Sequence, residues 1–172
     1  LTSSDRHIES PLVWEFYRYW HALADGAVPH RDQFDPTAVP RLVPSLHIVE
    51  LERATDRLRY RLVGTRSDAL AGSNLTGRYL DEFFRGETAA AARFFDLLYR
   101  RIAQSGQPEM GEYAWPTPTG TLIHIVFGVF PFRAASPEHQ FFYLEDLGDI
   151  YSDRRRLPWW SAPISDPSRP QD

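Results

Sequence analysis

The sequence contains no cysteine. Disulfides, thiolate metal ligands and cysteine nucleophiles are therefore excluded, while the redox compartment is left open. It also lacks any apolar run near the roughly 18 residues needed to cross a bilayer. The longest such stretch, Thr121 to Phe132, is broken by His124, Gly128 and Pro131. The opening segment LTSSDRHIESP lacks the cationic-then-apolar order of a secretory leader, so a soluble, cytoplasmic protein without a membrane partner is expected. An excess of positive charge is missing too: the formal net charge is −4. Nucleic acid is accordingly not expected as a partner. The basic clusters Arg100-Arg101 and Arg154-Arg155-Arg156 read as solvated surface. The six histidines show no HxH, HxxxH or HExxH spacing, which argues against a metal site built from local sequence.

What is present is aromatic. Eleven Phe, eight Tyr and five Trp sit in a chain of 172 residues, enough to fill the core of a single domain. The organisation read from the chain is a loose N-terminus over 1–10, a folded domain over 11–150 and a proline-rich tail over 151–172. Ser10-Pro11 marks a helix start, and Leu12, Phe16, Tyr19 or Trp20, and Leu23 recur on one helical face. Asp25-Gly26 ends it. Pro29, Pro36, Pro40 and Pro44 make the next stretch an extended connector, with one helical turn at Pro36 to Val39.

Leu46 to Glu52 and Leu58 to Gly64 flank a polar turn and read as a hairpin. A short helical turn at Asp68 to Leu70, a loop with Gly72 and Gly77, and a turn over Tyr79 to Phe84 follow. Glu87 to Gln104 is the strongest helix, with Phe94, Leu97, Leu98 and Ile102 as its apolar residues and Ser105-Gly106 as its stop. Strands are predicted at Glu109 to Trp115, Thr121 to Phe130 and Gln140 to Leu147, the first two joined by a turn at Pro116 to Gly120. In the second, Ile125, Phe127 and Val129 alternate with His124, Val126, Gly128 and Phe130. Both faces are largely apolar and both need cover. The long helix suits one, and the aromatic N-terminal helix the other. The fold class is thus α+β: a five-stranded antiparallel sheet with a long helix across one face and an N-terminal helical extension.

That order of elements, with Tyr19-Trp20, Phe34-Asp35-Pro36, Val39-Pro40, Leu42-Val43-Pro44, Tyr60-Arg61-Leu62-Val63-Gly64-Thr65 and Leu75-Thr76-Gly77-Arg78, resembles the bacterial family of single-domain PAS-like proteins. The resemblance runs from Leu12 to Ile150. It implies a PAS-like fold and a stand-alone sensory or ligand-binding role in bacterial signalling, exerted by contact with a separate signalling protein. It transfers no binding residue and leaves the cofactor unknown. A cysteinyl-flavin adduct or the covalent chromophore of photoactive yellow protein would need a cysteine. Haem is disfavoured because the long helix holds no histidine, although His47 or His124 remain available as ligands.

The residues expected to line an apolar cavity between sheet and long helix are Tyr60, Phe95, Tyr99 and His124, with a small apolar molecule as ligand. Two loops admit plainer readings beside functional ones. Either Tyr60 and Thr65 stand at a pocket mouth, or Gly64 simply allows a tight strand exit and Thr65 caps the next turn. Leu75 to Arg78 either offer backbone N–H groups and a guanidinium to an anion, or place Thr76 as a cap with Arg78 paired to Asp81 or Glu82. No catalytic residue is assigned, and the chain is not expected to be an enzyme. Two alternatives stand beside the sensor. One is a ligand-free module dimerising through Leu12, Phe16, Trp20 and Leu23. The other is a cup-shaped isomerase using Asp68, Tyr60 and His124.

Overall fold

The computed structural model describes residues 10–71, 74–116, 122–137 and 139–148. All but the last residue of the N-terminus expected to be loose over 1–10, Gly72, residues 117–120 of the expected turn and the tail over 151–172 lie outside these residues. Five strands form one antiparallel sheet: β1 (Leu46–Glu52), β2 (Arg57–Leu62), β3 (Glu109–Pro116), β4 (Leu122–Arg133) and β5 (His139–Asp146). Their spatial order is β2-β1-β5-β4-β3, so the first strand and the last lie side by side. The connection between β2 and β3 carries α2 (Thr65–Ala71) and α3 (Ala89–Ser105) over one face, called inner below. Helix α1 (Pro11–Leu23) and the proline-rich connector cover the other face.

The alternation of each strand sorts its residues between two cores. On the inner face Val49, Leu58, Tyr113, Phe127, Phe141 and Tyr143 meet Phe95, Leu98, Tyr99 and Ile102 of α3. On the outer face Leu46, Ile48, Phe130, Phe132, Phe142 and Leu144 meet Val13, Phe16 and Trp20 of α1. Leu12 and Leu23, expected on the apolar stripe, sit at its margin, and Val13 takes the central place. The Trp20 ring N–H donates to the carbonyl of Pro131 at 2.8 Å. Ser10 caps α1 by accepting the Val13 N–H at 3.1 Å, and its hydroxyl donates to Asp146 at the end of β5. Gly128 permits this approach of helix to sheet. A Cβ there would lie 2.6 Å from the Phe130 ring and 2.9 Å from Val13.

Two local expectations change. Leu97 is 60 % exposed, because Phe95, Leu98, Tyr99 and Ile102 define the buried stripe and Leu97 falls outside it. Strand β4 runs on through Pro131 to Arg133, where the proline suggested an end. The reason is positional. Pairing of β4 with β3 reaches only Val129, so beyond it β4 is an edge on that side. The Pro131 carbonyl and the Arg133 N–H both point to that open side, toward Trp20 and the Pro29 carbonyl. The absent proline N–H therefore costs no ladder bond.

Candidate functional site

Three strands and one short helix bring a set of polar groups into the inner core. On β5, Phe141, Tyr143 and Glu145 share the inner face, so the acid follows two aromatics inward. On β1 the same alternation turns His47 inward beside Val49. Tyr113 enters from β3 and Ser67 from the first turn of α2. Ser67 reaches this place because the chain turns sharply at Gly64. A Cβ on Gly64 would stand 2.4 Å from the Pro44 carbonyl oxygen, so only glycine allows the α2 entrance to lie against the start of β1. The Gly64 carbonyl accepts the Ser67 N–H at 3.0 Å, which fixes the serine beside His47.

Glu145 is the hub, only 6 % exposed. Its Oε1 accepts the hydroxyls of Tyr113 and, at 2.6 Å, Tyr143. Its Oε2 accepts the Ser67 hydroxyl at 2.5 Å and lies 3.2 Å from His47 Nε2. The Tyr143 hydroxyl has a second acceptor in the Tyr113 oxygen at 2.9 Å. His47 Nε2 also stands 2.9 Å from Ser67 Oγ; since the serine proton goes to the acid, His47 donates there. The other ring nitrogen, Nδ1, is buried with no partner among the described residues. Rings close the site: Phe95 packs on Tyr113 at 5.0 Å and on Tyr143 at 5.2 Å, and His47 on Tyr143 at 5.0 Å between centroids.

Burial by itself would raise the pKa of Glu145. The opposed charge of His47 and the bonds from His47, Ser67 and Tyr113 outweigh it and hold the carboxylate down at about 2. The tyrosines move the opposite way. Burial first, and the Glu145 charge after it, push Tyr113 and Tyr143 well above the usual phenol value. Tyr99 is raised by burial, then by its neighbours Tyr60 and Glu145, and Tyr60 by burial and Glu145. At neutral pH the site is thus an ionised carboxylate that faces the His47 imidazole and is ringed by hydroxyl donors. Ser67, His47 and Glu145 do not make a hydrolytic triad. Serine and acid both address Nε2, whereas a relay needs them on opposite ring nitrogens.

Of the residues predicted to line the site, Tyr60, Phe95 and Tyr99 all lie on the inner side. His124 does not join them. It projects from the outer face of β4, in phase with Val126 and Phe130, and lies 3.0 Å from Glu112. That placement also separates it from Tyr60 and from Asp68, whose Oδ1 accepts the Leu75 N–H at 3.2 Å, so the isomerase trio does not converge. Glu145, Ser67, Tyr113 and Tyr143 are not among the residues expected from the sequence, and His47 figures there only as a haem ligand. The available signal was the phase of β5, which sets Glu145 in register with Phe141 and Tyr143. The plain readings of the two loops fit in part. Arg78 pairs with Glu82 at 3.0 Å, while Asp81 takes Arg57 instead. Thr76 accepts the Val63 N–H at 3.2 Å, and no cap bond of its own is seen.

A five-stranded antiparallel sheet in this order, with helices on the inner face and polar groups buried beneath them, defines a domain of the PAS class. The family model described as "PAS domain" matches residues 8–142, and the chain belongs to that family. No curated protein matches it. Among solved structures it is similar to Vibrio cholerae VqmA, at 18 % identity over 61 % of this chain and 46 % of that one, with a TM-score of 0.48. VqmA bound to DPO gives 20 % identity over 66 % and 57 %, with a TM-score of 0.49. The PAS-B domain of Drosophila melanogaster Cycle with bound glycerol gives 14 % over 60 % and 98 %, with a TM-score of 0.43. The chain spans about half the length of the VqmA structures it matches. Among the described residues no helix is long and apolar enough to cross a membrane, and no group of three or more acidic or histidine side chains is placed to hold a metal.

Proposed function

We propose that this PAS domain is a sensory, ligand-binding module of bacterial signalling that works in the cytoplasm. It binds a small, largely apolar molecule at the Glu145 cluster and passes its state on by contact with another protein. The observation that carries this reading is the ionised Glu145, buried in the inner core and bonded to four different side chains. Filling the same volume with apolar groups would be as stable or more so. A polar cluster of this kind is suited to orienting one hydroxyl or amide of an otherwise apolar ligand. His47 Nδ1, buried and unpartnered, is a free polar position for such a ligand to meet.

The cluster also ties together elements that are distant in sequence: β1, α2, β3 and β5 all contribute a group to one carboxylate. A ligand that takes over one of these bonds releases the element it came from. Differential bonding of that kind is what a two-state sensor needs. Helix α1 spends Phe16 and Trp20 on its own sheet, so a homodimer through this helix would use its remaining flank, with Trp14 and Tyr17. A thermal-shift screen of apolar metabolites bearing one polar group tests the proposal. Stabilisation by a compound, lost in Tyr113→Phe, is expected. Equal stabilisation of both proteins would place the ligand elsewhere, and no stabilising compound would favour the interaction module.

A further inference from the structure

On the opposite side of the sheet from Glu145, a cleft of about 480 Å³ opens at the β2 edge. It is lined by Arg31, Arg59 and Arg61, by Ile48, Tyr60 and Leu62, and by Thr76 and Gly77, with no acidic residue among its lining. Along β2 Tyr60 lies opposite the inward Val49, and the register then slips so that Leu62 lies opposite the outward Ile48; Arg59 and Arg61 line the cleft beside them. Arg31 comes from the connector, held over the rings of Phe142 at 5.1 Å and Phe34 at 5.3 Å. The chain contains no lysine, so every one of its cationic side chains is the planar fork that suits an oxyanion.

The carboxylates nearby neutralise this group only in part: two face three guanidiniums. Glu50, 1 % exposed beneath the cleft, is divided between Arg59 at 3.0 Å, Arg61 at 3.5 Å and Gln140 at 3.0 Å. Glu52 pairs with Arg59 at 3.0 Å. Among the described residues no carboxylate pairs with the Arg31 guanidinium, and Asp32 lies against His30 instead. Burial and then the neighbouring Arg61 lower the pKa of Arg31, and the opposing pull of Asp32 does not offset them. Thr76 uses its oxygen as acceptor for Val63, which leaves its own proton to donate. The backbone N–H of Gly77 is spent on the Tyr60 carbonyl, so the recognition here is by side chains and not by a backbone nest. Leu62, unusually exposed for its size, and Ile48 give the cleft an apolar wall.

We infer that this cleft is a second site, separate from the Glu145 cluster, which binds a small anion of the phosphate class through Arg31 and Arg61. Two guanidiniums supply paired charge-assisted bonds to phosphoryl oxygens, Arg59 and Thr76 flank them, and the Leu62–Ile48 wall has room for an organic carrier. Isothermal titration of the purified protein with pyrophosphate and with adenosine monophosphate tests it, with sodium chloride at matched ionic strength as control. Saturable binding is expected, weakened roughly tenfold or more by Arg31→Gln and separately by Arg61→Gln, and unchanged in Arg85→Gln, an exposed guanidinium outside the cleft. Tighter binding of the monophosphate assigns the site to a phosphate ester and tighter binding of pyrophosphate to a free anion; both support the inference. Both variants should keep the wild-type circular dichroism spectrum, because Arg61 is exposed and Arg31 only half-buried on a connector outside the two cores. Absence of saturable binding to either probe would overturn the proposal. So would equal binding in folded variants, or a response that chloride reproduces.

Discussion

Replacing Glu145 by Gln keeps the shape of the side chain and removes its charge. In the folded protein the carboxylate accepts from Tyr113, Tyr143 and Ser67 and faces His47. An amide has one acceptor oxygen, so its NH2 must face either the tyrosine pair or the Ser67–His47 pair. The first arrangement sets donors against donors; the second is relieved only if Ser67 turns its proton away and His47 moves its own to Nδ1. A loss of about 2–4 kcal/mol at neutral pH follows from breaking a buried charged hydrogen-bond group. The linkage gives a similar figure. Depression of the Glu145 pKa from 4.5 to about 2 corresponds to roughly 3 kcal/mol. A depressed folded-state value means this stability is fully present above pH 4.5 and is lost as pH falls toward 2. Urea melts of wild type and variant from pH 7 down to pH 3 read both effects. The gap between the two proteins should be widest near neutrality and shrink below pH 4.5. A gap near zero at pH 7, or one that stays constant through the acid range, would refute the reasoning, because the carboxylate would then be neutral or solvated.

Other perturbations separate the remaining parts of the fold. Trp20→Ala should cost about 3–5 kcal/mol in chemical denaturation, since a ring only 1 % exposed leaves a cavity under α1 and the Pro131 carbonyl loses its donor. Trp20→Phe, which keeps most of the volume, should cost clearly less. Gly64→Ala forces a Cβ against the Pro44 backbone and should lower stability by about 1–3 kcal/mol; an unchanged melting temperature would count against the close approach that seats Ser67. Leu97→Ser, at an exposed position of α3, should leave stability within about 0.5 kcal/mol, whereas Leu98→Ala should cost about 2–5 kcal/mol.

The fold was largely legible because its elements carry regular periods. Leu46 to Glu52 reads as a strand running into a polar hairpin turn, and β1 has those same bounds. The long helix announces itself by its alanine run and its Ser105-Gly106 stop; Gly106 adopts the left-handed conformation with φ 67°. Pro131 misled because proline forbids a ladder bond only on a paired side, and which side is paired depends on how far β3 extends. Leu97 misled because adjacent leucines in a helix point in different directions and the phase is set by tertiary packing.

The site was legible only in part, for a related reason. Tyr60, Phe95 and Tyr99 could be placed inside because they are aromatic and in phase with apolar neighbours. Glu145 is also in phase, with Phe141 and Tyr143, but a carboxylate near a strand end reads as solvent-facing. Its burial depends on Ser67, Tyr113 and His47, which come from 32 to 98 positions away in the chain and share no motif. His124 shows the converse. Its own alternation put it with Gly128 and Phe130, under α1, and its aromatic character was not enough to bring it to the other face.

The most direct test of the sensory reading is native mass spectrometry of the protein purified without denaturation from a bacterial host, beside the same sample after unfolding. The expected result is a non-covalent adduct that is released on unfolding and is missing from folded Tyr113→Phe. A ligand-free mass in both proteins, with no stabilising compound in the metabolite screen, would contradict it.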